Sequence, residues 1–136
     1  MAQKRTESEF LGFKDLIVYQ KAFVLAMDVF QLTKGFPRHE VYGLTDQLRR
    51  STRSIGSNLA EAYPRRKYFK YFVSKLIDAQ SEACETIHWL DMSHACEYID
   101  ETSHRHYKNL TYEIQRMIEK IIQNPSKFCP KPQNKH

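Results

Sequence analysis

Apolar positions recur along this chain at intervals of three and four in four stretches, the first three of them set apart by glycine and proline. That period marks amphipathic helices, each burying one stripe. The clearest stretch runs from Tyr42 to Glu61. At about 100° per residue, Leu44, Leu48, Thr52, Ile55, Leu59 and Ala62 fall within a sector of about 80°, which predicts a core-facing line. Arg49, Arg50 and Arg53 sweep round one flank, while Ser54, Ser57, Asn58 and Glu61 gather on the side away from the core. Gly56 and Ala60, one turn apart, cut a notch between the core and basic faces. An interior glycine costs about 1 kcal/mol relative to alanine, so something is expected to pack close there.

The other three helices follow by the same rule. Asp15 is the expected N-cap of the first, in which Leu16, Tyr19, Phe23, Met27 and Phe30 predict a buried line as far as Lys34, before Gly35-Phe36-Pro37 ends it. The second should stop at Tyr63-Pro64, because the residue before a proline is pushed out of helical geometry. A third is expected from about Arg66 to Tyr98, longer than its predecessors, with Phe69, Phe72, Leu76, Ala79, Ala83, Ile87 and Leu90 inward. Asp100 or Thr102 opens a fourth, in which Ser103, Tyr107, Leu110, Ile114, Met117 and Ile121 keep the rhythm until Asn124-Pro125. Four such stripes with short connections predict an all-α fold, an antiparallel up-down-up-down four-helix bundle spanning residues 13–124. Polar residues 1–12 and the basic, proline-rich residues 125–136 read as flexible tails.

Composition agrees with a packed helical protein: 41% hydrophobic and 12% aromatic residues, with only 4 Gly and 5 Pro. One domain is expected from 136 residues. The absence of a membrane-length apolar run or a hydrophobic leader predicts a soluble, cytoplasmic protein. Cys84, Cys96 and Cys129, an odd number without a CxxC, read as free thiols.

Charge adds a polarity that the overall +5 conceals. From Arg49 to Lys75 there are eight Lys/Arg and one acid, net +7; from Leu76 to Glu101 there are seven acids and no Lys/Arg, net −7. Three uses remain open: solvated faces, phosphate collection by the basic half, or head-to-tail meeting of the two halves in a closed ring of subunits. Arg49, Arg50, Arg53, Arg65, Arg66, Lys67 and Lys70 are the candidate nucleic-acid contacts. Tyr68 and Tyr71, interleaved with the last of these, are either amphipathic packing residues or platforms for unpaired bases. Ser54, Ser57, Asn58, Glu61 and Trp89 are candidates for a subunit interface.

Enzymatic chemistry has little to stand on. Neither serine of the polar strip has a histidine on its helix to serve as base, so no catalytic residue is assigned. His88, His94, His104 and His106 lie near Cys84 and Cys96, but His104 and His106 diverge on a helix, so neither a metal nor another cofactor is expected.

The order FPxxExYGLTxQLRRSxxSIxSNxAE, here Phe36 to Glu61, followed by Phe69, Phe72 and the run ETIHWL from Glu85, resembles the four-helix bundle proteins encoded by intervening sequences in bacterial 23S rRNA genes. The resemblance spans about residues 13–123. It departs after Ala60-Glu61, where the family often has Gly and this chain has Ala62-Tyr63-Pro64. It implies a homopentamer, and a fold similar to the accessory variability determinant protein of diversity-generating retroelements, a basic bundle that associates with nucleic acid and a reverse transcriptase. The expectation is therefore a non-catalytic oligomer that binds RNA or DNA; the alternative is an adaptor whose charges serve assembly and whose surface receives a protein partner.

Overall fold

The computed structural model describes residues 12–127, and the two expected tails otherwise lie outside the described residues. A 3-10 turn, Gly12–Asp15, leads into α1 (Ile17–Thr33); α2 (Leu44–Ala62), α3 (Phe69–Ala95) and α4 (Glu101–Gln123) follow. Together they form an all-α four-helix bundle. Side-chain pairs run in opposite order along neighbours: Lys75 meets Asn58 and Thr86 meets Ser51 between α3 and α2, while Gln80 meets Glu119 and Asp91 meets His104 between α3 and α4.

The line read for α2 is buried throughout: Leu44, Leu48, Thr52, Ile55, Leu59 and Ala62. The line read for α1 is not. Val18, Ala22, Leu25, Val29 and Thr33 face the core, whereas Phe23 is 55% and Met27 48% exposed. Helix α1 is apolar on nearly every side, so its large residues and its small ones each make a stripe of helical period. The small set wins, since Ala22 and Val29 let the backbones approach while bulkier rings would hold them apart. Asp15 does not cap α1 either; it closes the preceding turn, and Leu16 takes the cap position with extended backbone.

Further readings are corrected on α3 and α4. Helix α3 begins at Phe69 rather than Arg66, because Pro64 opens a 3-10 segment, Tyr63–Lys67, and Tyr68 then turns extended. It ends at Ala95 rather than Tyr98: Glu97 adopts a left-handed φ of 63°, with Glu97 N–H donating to the His94 carbonyl and Tyr98 N–H to that of Ser93, both at 2.9 Å. This is a Schellman termination without the usual glycine. Phe69, the first residue of α3, is exposed; Thr86 takes the buried place expected of Ile87; and α4 buries Thr111, Ile114, Ile118 and Ile121, with Tyr107, Leu110 and Met117 only partly buried.

The core carries hydroxyls that hydrophobic periodicity does not reveal. Thr86 Oγ1 donates to Ser51 Oγ (2.9 Å), which in turn donates to the Leu48 carbonyl (3.2 Å), tying α3 to α2. Ser93 and Thr111 each bond a carbonyl one turn back, at 2.7 Å. Among the described residues no buried side-chain polar atom lacks a partner, so these groups cost little of the penalty for unsatisfied burial.

Candidate nucleic-acid interface

Helix α2 and its exit carry the seven candidate cations, and the fold divides them into two groups. Arg49 and Arg53 lie beside the C-terminal turn of α1, with Arg50 next to them on α2, whereas Arg65, Arg66, Lys67 and Lys70 surround the α2–α3 connection. From Arg49 to Arg65 is sixteen residues, about 24 Å at the helical rise.

The first group is largely occupied within the chain. Arg49 Nε donates to Thr33 Oγ1 (2.7 Å) and Nη2 to the Phe30 carbonyl (3.4 Å), while the guanidinium lies 4.6 Å from the Phe30 ring centroid. It thereby holds carbonyl and hydroxyl groups at the end of α1 and opposes the negative end of that helix. Arg53 sits over the same ring at 5.8 Å and is exposed. Arg50 turns away, 3.9 Å from Asp46, towards Glu82 of α3. Burial, followed by the neighbouring Glu85 and Asp78, holds the Glu82 carboxyl above the usual range while Arg50 pulls it down, so the basic and acidic runs partly neutralise each other inside one chain.

The second group is more open. Arg66 stacks 3.6 Å from the Tyr63 centroid, and its Nε donates to the Tyr63 carbonyl at 2.8 Å. Arg65, Lys67 and Lys70 are exposed, and none of the three forms an ion pair within 4 Å among the described residues. Between them stand Tyr68, Phe69 and Tyr71, exposed by 64%, 55% and 59%. The Tyr68 and Tyr71 rings are 6.1 Å apart and nearly perpendicular, at 80°. From Ala62 to Ile77 there is no acidic residue.

The polar strip is engaged with α3. Lys75 Nζ lies 2.7 Å from Glu61 Oε2 and 3.5 Å from Asn58 Oδ1; the Lys75 hydrogen bond, then its charge, holds Glu61 below the usual carboxylate range. Asn58 Nδ2 and Ser57 Oγ both donate to the Ser54 carbonyl. Trp89 is half-buried against its own core, its Nε1 donating to Glu85 Oε1 at 3.2 Å. The Gly56 notch is met by Tyr19: a Cβ added at Gly56 would lie 3.7 Å from Tyr19 Cε1.

Sequence reading missed the surface beside that notch. Phe23, Met27 and Phe30 of α1, with Arg53, Gly56 and Ala60 of α2, line an open groove of about 390 Å³. The signal was present in the excess of large apolar residues on α1, more than one core stripe can use.

Two of the histidines, His94 and His104, meet between α3 and α4. His94 and His104 stack at 4.2 Å with planes 5° apart, and Asp91 Oδ1 lies 2.7 Å from His104 Nε2 and 2.8 Å from Lys108 Nζ. Burial raises the Asp91 pKa, but Lys108 and His104 together outweigh it and leave the carboxyl below its usual range. No group of three or more His, Cys, Asp or Glu among the described residues is placed to hold a metal ion. Cys84 and Cys96 are free and exposed; Cys129 lies outside the described residues. No described helix is long and apolar enough to cross a membrane.

Comparison with known proteins places the bundle. No match was found among curated proteins. A crystal structure of a protein of unknown function, from the S23 ribosomal protein family of Bacteroides thetaiotaomicron, is similar with a TM-score of 0.73 and 29% identity, covering 79% of this chain and 96% of that one. The family model described as 23S rRNA-intervening sequence protein matches residues 14–120. With the motif from Phe36 to Glu61 seated on α2 and its entry turn, and the match spanning all four helices, the chain belongs to the 23S rRNA-intervening sequence protein family.

Proposed function

We propose that this protein is a non-catalytic, homo-oligomeric bundle that gathers RNA or other nucleic acid in the cytoplasm through its basic surface. The observation that carries this reading is the acid-free segment from Ala62 to Ile77, where Arg65, Lys67 and Lys70 stand exposed and without ion pairs among the described residues. Exposed cations with no carboxylate within 4 Å keep much of their attraction for phosphate, Lys67 and Lys70 more than Arg65, whose charge also acts on Glu61. Arg50 and Arg53 extend that field, and Arg49 and Arg66 add charge from positions they hold against their own chain. Repetition around a ring, with five copies as the family resemblance implies, multiplies the effect.

A gel shift of a short single-stranded RNA of mixed sequence tests the reading. Binding is expected at low salt, with log K falling linearly in log salt by about 0.7 per phosphate neutralised. The triple variant Arg65→Glu, Lys67→Glu, Lys70→Glu is expected to abolish the shift while leaving the circular dichroism melt in place. No shift of the native protein at low salt would overturn the proposal.

A second reading, an adaptor that receives a protein partner, is favoured by one feature: the apolar groove beside Phe23 and Met27. Sedimentation of Phe23→Asp, Met27→Asp separates its uses. Collapse of the oligomer to monomers identifies the groove as a contact between copies; an intact oligomer leaves the groove to a foreign protein.

A further inference from the structure

We infer that the α2–α3 connection recognises unpaired strands in preference to duplex, with Tyr68 and Tyr71 as stacking platforms and Lys67 and Lys70 as phosphate clamps. This rests on the proposed nucleic-acid role and narrows its ligand. Three large aromatic side chains, Tyr68, Phe69 and Tyr71, stand more than half exposed in four successive positions, interrupted only by Lys70. A solvated turn needs none of them. Alternation of rings and cations suits a polymer that alternates flat bases and phosphates.

Ring geometry decides between the two forms of that polymer. The planes of Tyr68 and Tyr71 stand at 80° with centroids 6.1 Å apart, so bases lying flat on the two rings would themselves be nearly perpendicular. A duplex offers base edges in its grooves but keeps its base faces parallel and hidden in the stack. Only a strand whose backbone can turn between neighbouring nucleotides can serve both rings. Charge complementarity selects the polymer class: no acid lies between Ala62 and Ile77 to repel phosphate, and Lys67 and Lys70 immediately precede Tyr68 and Tyr71 in sequence.

The test compares one RNA sequence, single-stranded and as a blunt duplex, at matched salt against the native protein and three double variants. The single strand is expected to bind more tightly. Tyr68→Ala with Tyr71→Ala should lower single-strand affinity about tenfold or more per ring without changing the salt slope. Lys67→Ala with Lys70→Ala should instead flatten the single-strand slope by about 0.7 for each lysine lost. Tyr68→Phe with Tyr71→Phe should retain binding, because the rings rather than the hydroxyls do the stacking. If neither strand form binds at low salt, the general nucleic-acid reading fails and this inference falls with it. If the native protein binds but both strand forms bind equally, or if Tyr68→Ala with Tyr71→Ala matches the native protein, the inference alone is overturned. A change in sedimentation on replacing the tyrosines would also overturn it, since the rings would then belong to a contact between copies.

Discussion

At the end of the bundle where α1 and α3 finish, side chains reach across from one connection to another. Glu40 accepts the Leu44 N–H through Oε1 (3.2 Å) and the Tyr98 hydroxyl through Oε2 (2.8 Å), and the Tyr98 ring packs on buried Phe36 with centroids 5.3 Å apart. At the opposite end, where α2 passes into α3, the rings of Tyr68, Phe69 and Tyr71 point into solvent among cations. Both ends spend aromatic residues on a turn, but one uses them to close the fold and the other leaves them free. The difference teaches where to look for function: an aromatic residue whose burial the fold does not need is available to a partner.

The sharpest way to break this contrast is to remove one ring from each end. Phe36→Ala deletes a buried side chain and is expected to destabilise by about 3 kcal/mol or more. Phe69→Ala, mostly exposed already, should stay within about 0.5 kcal/mol. Urea denaturation midpoints measure both. Similar losses would show that the open end is as important to folding as the closed one.

A smaller effect separates the ends by pH. Glu40 is held below the usual carboxylate pKa, first by the Leu44 backbone N–H and then by the Tyr98 hydroxyl. Lowering in the folded state means that Glu40 stabilises the protein above its unfolded pKa, and that this contribution fades as pH falls through the depressed folded value. Glu40→Gln should therefore lower the melting temperature near neutrality, with a deficit that narrows in acid below the ordinary range of Glu. Gly43→Ala is expected to act through the same clasp: an added Cβ would lie 2.7 Å from Glu40 Oε1 and push the carboxylate off Leu44. The double variant should cost little more than the worse single one, because both changes release the same contact.

That clasp also shows how far the sequence could be read. The α2 stripe was legible because polar and apolar residues segregate sharply there, and the start of α4 was legible as one of two residues, of which Asp100 rather than Thr102 is the cap: its Oδ1 accepts the Ser103 N–H at 2.7 Å. Glu40 and Gly43 were visible only as letters of a family motif, since a carboxylate that reaches four residues forward to cap α2 leaves no periodic trace. Helix α1 misled for a physical reason already on its face: with Tyr19, Phe23 and Met27 on one side and Val18, Leu25 and Val29 on another, periodicity supports two stripes and only tertiary packing chooses. The basic set was legible as charge. Its division was not, because Arg49 finds Thr33 and Phe30 sixteen and nineteen residues away, across a helix pair that must form first.

The end of α3 offers the finest test of the closed end. Glu97 adopts a φ of 63°, a left-handed conformation that crowds a Cβ against the following carbonyl and costs an L-residue about 1 kcal/mol. Glycine pays no such steric cost, although it loses more freedom on folding, so Glu97→Gly is expected to gain about 0.5 kcal/mol. Glu97→Ala serves as the control: it removes the carboxylate but keeps the Cβ, and should show no gain. Tyr68, the turn residue at the other end, has an extended φ of −122°, so glycine there relieves nothing and should destabilise slightly. If Glu97→Gly and Glu97→Ala behave alike, the backbone at this turn carries no strain to release, and the Schellman bonds from Glu97 and Tyr98 hold the turn without opposing a steric cost.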